Sequence, residues 1–564
     1  MILALTGVPL VIVSIIAFIL ILGVIVLVHE GGHFLLAKRA GILCHEFSIG
    51  MGPAIYKKKY KETTFCIRAI PIGGYVSMAG EDIIIDQIKV NDEIGVNLLY
   101  NQICEIVLDS NLDAMIKGKV VDFDLTGKDS NVLYITLNDG MTEHYFEVMR
   151  DAQYVFNENE KLQITPYDRS FDSKTLLQRF LTLFAGPFMN MILALLIYAI
   201  ISFATGVPNY DSNRIGSVST ENSSLVSEDG SYKLQDGDEI LSVNGVEISS
   251  WNELSTELDK LLAESKTALT LKIKRDEEII DLEIDAYVNI VSLGLTNIQV
   301  SDEPFPEGIS GVRVGLVGLR YLDSENKGEY PLQKGDIITK IRADKLGANN
   351  SVIKGEVIDI SSWNQLISIF KDLDVANVYF EYYSYAKEGI VSIDDCAALQ
   401  TYGNEILDNQ RIDKIAIKVG ISPEMHFDLF GCLGTAFASF WNDFTLIFRT
   451  LGLLIAPSAT VKQVGIQDLS SFVGIFSLVQ TFVASGILTL LAFTAMLSVN
   501  IGVMNLLPIP ALDGGRIVFL GYEFITRKKP SKKVETILNN VFFILLMILF
   551  VFVTYNDIIR LIKG

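Results

Sequence analysis

Residues 24–41 read VIVLVHEGGHFLLAKRAG. An apolar run from about Val8 to Ala37 ends here, long enough to cross hydrocarbon as a helix. Near its C-terminal end it carries two imidazoles and a carboxylate, groups that a membrane segment holds only at a cost and usually for a function. His29-Glu30-Gly31-Gly32-His33 is an HExxH pattern. On a helix, residues four apart share a face, so both imidazoles can reach one ion. Glu30 sits beside them without being needed as a ligand. It is placed to take a proton from a water that the ion polarises. The plain alternatives are a chance five-residue match and polar groups snorkelling to an interface.

Two imidazoles leave a catalytic zinc one protein ligand short, since such sites hold three plus water. The missing group should be another polar residue buried in a span. Residues 505–516 read NLLPIPALDGGR, and Asp513 is the only acidic residue between Asp468 and Glu523. It follows a Pro-x-Pro bend that frees backbone from helical bonding. A simple Asp-Gly turn is the competing explanation.

The chain has 564 residues, half of them hydrophobic, with a mean hydropathy of +0.37. That length requires several domains. Three further apolar runs suit membrane helices: 188–207, 486–507 and 541–555. The net charge of −21 argues against a nucleic-acid partner. Five widely spaced cysteines form no CxxC pair and suggest neither a disulfide framework nor a thiolate zinc site. The opening MILALTG lacks a basic segment and a cleavage site, and is expected to belong to a retained span.

Lys38, Arg39, Lys57, Lys58, Lys59, Lys61 and Arg68 follow the first run, and Arg516, Arg527, Lys528, Lys529, Lys532 and Lys533 follow the third. The positive-inside rule puts both segments in the cytoplasm, with residues 208 to about 430 and both termini outside. His29, His33 and Asp513 then arrive at similar depth, near the inner ends of two spans that both enter from outside.

The outer region repeats itself. Tyr232, Leu234, Gln235, Gly237 and Asp238 recur as Tyr330, Leu332, Gln333, Gly335 and Asp336, and Trp251-Asn252 as Trp363-Asn364. The second copy carries extra residues near GANNSVIKGEVIDI, which fits a loop insertion. Each copy reads as a Gly-Asp turn, a short strand, an amphipathic helix after Ser-Ser-Trp, then further strands. That order resembles PDZ domains. Between Glu81 and Phe171 an acidic stretch with strand-like runs reads as an inserted β-rich cytoplasmic module. Residues 437–456 contain Trp441, Asp443 and Arg449 and read as an amphipathic helix at the outer interface.

Taken together, the motifs resemble the bacterial site-2 proteases, close to the regulator-of-sigma-E protease group. FSIGMGP (47–53), IPIGGYVSMAGE (70–81), LFAGPFMN (183–190) and NLLPIPALDGGR each match a family pattern. DLSSFVGIF (468–476) departs from the family's Leu-Ser-Gly-Pro-Val-Gly-Ile, with Ser471 and Phe472 in place of Gly-Pro. The resemblance implies a polytopic α-helical membrane protein with four transmembrane helices, a cytoplasmic membrane-associated β-hairpin and two extracytoplasmic PDZ domains. It implies zinc held by His29, His33 and Asp513, with Glu30 as general base. Asn505, Pro508, Gly73, Gly74 and Tyr75 would contact substrate, Asn505 having helix packing as its alternative. Substrates would be single-span membrane proteins, such as anti-sigma factors or remnant signal peptides, cut within the bilayer.

The expected organisation runs as follows: 1–38 first span, 39–81 hairpin region, 82–170 inserted module, 171–208 lead-in and second span. Then come 209–292 first PDZ, 293–425 second PDZ, 426–485 outer interfacial helix and loop, 486–520 third span, and 521–564 basic loop and fourth span. A membrane-anchored PDZ scaffold with a vestigial metal site is the main rival. A metal transporter and a purely structural zinc are weaker ones, since the second and fourth runs hold almost no ionisable groups and a structural site has no need of Glu30.

Overall fold

The computed structural model describes residues 8–81, 87–128, 132–157, 160–219, 225–226, 232–290, 295–297, 304–315, 332–346, 352–371, 375–396, 399–400, 415–455 and 471–563. The expectations for Met1–Gly7, for Tyr330 and for the start of the 468–476 motif lie outside them. The helices are α1 (Val8–Arg39), α2 (Leu176–Thr205), α3 (Trp251–Glu264), α4 (Trp363–Lys371), α5 (Leu429–Ile455), α6 (Phe472–Ser485), α7 (Ile487–Leu506), α8 (Asp513–Thr526) and α9 (Lys532–Lys563). Four of them, α1, α2, α7 and α9, are long and apolar enough to cross a membrane. Helices suit that role because each pairs its own backbone.

The chain divides into two compact units. The first holds the chain up to Ala204, Leu433–Leu451 and the C-terminal helices. Ile21, Leu22 and Ile25 of α1 pack with Val479 of α6 and with Phe493 and Leu497 of α7. Residues 472–485, expected as part of a loop, are therefore a packed helix. The sequence hid it because a 14-residue helix is too short for a span. The third span is also shorter than expected. It stops at Leu506, and the chain restarts as α8 at Asp513, so residues 521–526 continue a helix instead of a basic loop.

Phe440, Phe444, Ile447 and Leu451 form one face of α5 and share a core with Ala194 and Ile197 of α2 and with Ala495 and Val499 of α7. Asp443 accepts the Tyr198 hydroxyl of α2. The helix thus runs against two apolar helices for about three turns. Arg179 of α2 and Glu523 of α8 form a two-pronged ion pair at 2.7 and 3.0 Å, largely buried.

A hairpin of β1 (Cys44–Tyr60) and β2 (Thr63–Met78) folds back on itself. Glu46–Ile49 pair on one side with Thr64–Ile67 and on the other with Gly74–Ser77, while Lys57–Tyr60 pair with the far side of Thr63–Cys66. The result is four strand segments, and Gly74–Ser77 form one edge.

The insert is a barrel. Its strands are β3 (Glu93–Leu99), β4 (Gln102–Val107), β5 (Ile116–Asp124), β6 (Tyr134–Asn138), β7 (Glu143–Asn157) and β8 (Glu160–Gln163). They lie in the order β4-β3-β5-β6-β7-β8, and a parallel β4–β7 pairing closes the ring around Ile94, Val96, Ile103, Ile135 and Leu137. Closure leaves only the short β8, paired with β7 alone among the described residues, as an edge. Where it meets the hairpin, Leu43 N–H donates to Arg169 O, Ala79 N–H to Leu43 O and Phe171 N–H to Ala79 O. Burial, with Lys38 and Arg169 nearby, pushes the His45 imidazole at this junction down to about 4.

The second unit, Thr205–Cys432 with a short later piece, has two lobes. The repeat is visible in its bonds. Gln235 N–H donates to Asp238 Oδ2 and Gln333 N–H to Asp336 Oδ2, both at 2.8 Å. Ser249 N–H donates to Glu253, and Ser361 N–H to Gln365, each closing a cap at the start of α3 or α4. The expected boundaries at 292/293 and 425 are not where the lobes divide. Tyr287–Ile290 buries Val288 and Ile290 in the second lobe, while Val419 is buried in the first. Ile421–Pro423 pairs with Ile215–Val218, and Ala416–Lys418 pairs with Tyr287–Asn289. Each lobe is completed by a strand from beyond its own repeat.

Two stability measurements follow. Arg179→Ala strands a buried carboxylate and should cost about 3–5 kcal/mol, whereas the double change Arg179→Met with Glu523→Met should come close to neutral. Thermal unfolding in detergent distinguishes them. His45 titrates lower in the folded chain than its ordinary 6.5, so the unfolded chain takes up the proton first. Stability should therefore fall as pH drops from about 6.5 toward 4, by about 2–3 kcal/mol, and His45→Gln should flatten that part of the profile.

Candidate metal centre

Helix α1 presents His29 and His33 one turn apart, and α8 presents Asp513 as its first residue. The imidazoles are 8 % and 6 % exposed. His29 Nε2 lies 3.2 Å and His33 Nε2 3.3 Å from Asp513 Oδ2, and the two nitrogens are 3.3 Å apart. Three donor atoms thus form a nearly equilateral triangle. Tetrahedral zinc, with bonds of about 2.0–2.1 Å, needs ligand atoms about 3.3 Å apart. Among the described residues this is the one group of three or more such side chains close enough to hold an ion. A two-nitrogen, one-carboxylate set suits zinc and leaves a fourth position open.

The remaining ring nitrogens are held from α2. His33 Nδ1 lies 2.8 Å from Thr182 O, which accepts its N–H and leaves Nε2 with a lone pair for a metal. His29 Nδ1 lies 3.2 Å from the side-chain amide of Asn190, whose Oδ1 is buried without a partner. Turning that amide over gives Oδ1 the N–H of Nδ1 and frees His29 Nε2 as well. The backbone carbonyl of Asn190 also accepts the Ser498 hydroxyl of α7 at 2.8 Å. Gly186 lets α2 come this close, since a methyl there would lie 2.2 Å from His33 Nε2.

A cavity of about 700 Å³ opens over the triangle. Glu30, Asn505, Gly73, Gly74 and Tyr75 line it with the three donors, so the structure gathers all but one of the site residues expected from sequence. Pro508 is the exception. It is exposed, absent from the lining, and ends α7. Gly74 sits directly on α1, where a methyl would meet Val26 Cγ1 at 2.7 Å and Glu30 Cγ at 3.0 Å. Tyr75 is braced across the sheet: its hydroxyl donates to Glu46 at 2.7 Å and accepts from Arg68 at 2.8 Å. Glu81 and Arg516 form an ion pair at the rim, joining the chain after β2 to α8.

Sequence reasoning missed the supporting roles of Thr182 and Asn190. Thr182 acts through its backbone, so no side-chain signal exists. Asn190 left one, as the sole side-chain amide in the run 188–207. Asn190→Ala should weaken zinc binding about 10–100-fold. Competition with a chromophoric chelator measures this, and unchanged affinity would remove Asn190 from the site.

The Peptidase family M50 model matches residues 17–549. A putative zinc metalloprotease of Staphylococcus aureus is 30 % identical over 554 residues, covering 97 % of this chain and 98 % of the relative. The zinc metalloprotease RasP of Shouchella clausii is 29 % identical over 548 residues, covering 97 % and 99 %. RasP of Oceanobacillus iheyensis is 29 % identical over 552 residues with the same coverage. With donors that fit zinc and a family match across nearly its whole length, the chain belongs to peptidase family M50, the site-2 proteases, and is a zinc metalloprotease of the membrane.

Proposed function

We propose that this protease hydrolyses a peptide bond inside the transmembrane segment of single-span membrane proteins, with His29, His33 and Asp513 holding zinc and Glu30 as general base. The observation that carries this reading is the triangle of donor atoms, set among apolar helices, with a free sheet edge in the same cavity. Bound there, zinc supplies the Lewis acidity that polarises a carbonyl and acidifies a water.

The chain's own residues do the rest. A substrate helix keeps its amides paired, so it must unwind before its carbonyls can be attacked. Gly74–Ser77 pair on one side with Glu46–Ile49, have no strand partner on the other among the described residues, and line the cavity. That edge takes the unwound segment by strand addition, which replaces the hydrogen bonds lost from the helix. Tyr75, held by Glu46 and Arg68, keeps the edge in register. Asn505, in the last turn of α7, reaches the same cavity and steadies the strand or the developing oxyanion. Glu30 takes the proton of the attacking water and passes it to the departing amide nitrogen.

The lysines and arginines after the first and third runs support a site near the cytoplasmic face, with both termini and the two lobes outside. The lobes, read as PDZ domains, filter substrates by the size of their outer part or receive a newly exposed C-terminus. Anti-sigma factors and remnant signal peptides are the substrate classes this reading favours.

Co-expression with tagged single-span candidates tests it. Wild type should release a cleaved product, and Glu30→Gln should retain zinc while cleaving at least about 10²-fold more slowly. Asp513→Asn should lose both zinc and cleavage. Cleavage that persists in the Glu30 and Asp513 variants would end the proposal.

A further inference from the structure

The far edge of the hairpin sheet carries IYKKKYK, residues 55–61. Every residue from Met51 to Lys61 is exposed, on both faces of the strand. Lys57, Lys58 and Lys59 form no ion pair among the described residues, and Lys61 lies over the Tyr60 ring. A chain of net charge −21 here concentrates four lysines in five positions.

Two contacts fix the depth of this strand against α1. At one end, Glu62 in the hairpin turn pairs with Lys38 at 2.5 Å, where the apolar run of α1 stops. At the other, Gly74 rests on Val26, and Gly74 shares a row with Ile49 and Ile67. From Thr63 to Ile67 the strand spans about 13 Å, and from Val26 to Lys38 the helix spans about 18 Å. Sheet and helix therefore run side by side. The lysines stand level with the last turns of α1, and the exposed apolar side chains Ile55, Ile67 and Ile70, each about half exposed or more, stand toward its middle. Basic and tyrosine side chains at the end of a span, with bare aliphatics beyond them, match the layering of a headgroup region over hydrocarbon.

We propose that Ile55–Lys61 binds anionic phospholipid in the leaflet beside the C-terminal end of α1, and that headgroup charge thereby tunes the substrate edge. Resting on the protease reading, the second half follows from the sheet. The lysine strand pairs with Thr63–Cys66, that segment with Glu46–Ile49, and that in turn with Gly74–Ser77. Arg68 spans the same rows, donating to Glu46 at 2.5 Å and to Tyr75. Three strand spacings, about 14 Å, separate lipid-facing and substrate-facing edges. A shift at one is carried to the other by hydrogen bonds.

The experiment uses the full chain in nanodiscs of phosphatidylcholine, with or without phosphatidylglycerol. Amide hydrogen exchange of residues 55–61 and cleavage of a single-span substrate are both followed. Each lysine near an anionic surface contributes a factor of about five to association. Phosphatidylglycerol should slow exchange at 55–61 at least about tenfold and raise the cleavage rate, with both effects lost in high salt. Changing Lys57, Lys58, Lys59 and Lys61 together to Gln should abolish both responses, and changing them to Arg should keep them. Equal exchange of the wild type in the two nanodiscs overturns the proposal, as does a Gln variant that responds like wild type. Slowing by soluble glycerophosphate in phosphatidylcholine discs also overturns it, since the ligand would then be free phosphate. Cleavage that proceeds without a lipid response removes this inference and leaves the protease standing. A lipid response with no cleavage in any disc removes the reading of single-span substrates and leaves the lipid site.

Discussion

Polar groups cannot be left unpaired in hydrocarbon, and the first unit is organised around that constraint. His29, His33 and Asp513 answer one another at 3.2–3.3 Å. Around them, Thr182, Asn190 and Ser498 spend their polar atoms on the same few helices. The solution recurs farther out. Asp557, one of two buried residues among those described in α9, accepts from Ser471 N–H, Ser471 Oγ and Gly474 N–H at the start of α6. Arg179 and Glu523 do the same between α2 and α8. Each buried polar contact fixes the angle and register of two helices that apolar packing alone would leave free to slide.

What was legible in the sequence is what local spacing enforces. HExxH puts two nitrogens on one helix face, whatever the rest of the chain does. Asp513 stood out because an apolar stretch contains no other carboxylate. The repeated turns and helix caps were readable because Asp238 and Asp336, or Glu253 and Gln365, make the same short-range bonds.

What was not legible depends on partners distant in the chain. The parallel closure of the barrel between β4 and β7, and the exchange of strands between the lobes, have no local signature. Helix α6 was too short to stand out as a span and became visible only through its packing on α1 and α7. Pro508, expected in the cleft from the family resemblance, lies two residues past the end of α7 and outside the cavity lining. Nor does the sequence show that the Tyr198 hydroxyl donates to Asp443.

The short antiparallel pair between Val207–Pro208 and Met425–His426 has a mechanical meaning. The chain between Val207 and His426 leaves and returns at one point, where two short strands hydrogen-bond to each other. The pairing ties the two ends of that long excursion together by main-chain hydrogen bonds alone, so the closure at its base depends on no particular side chain.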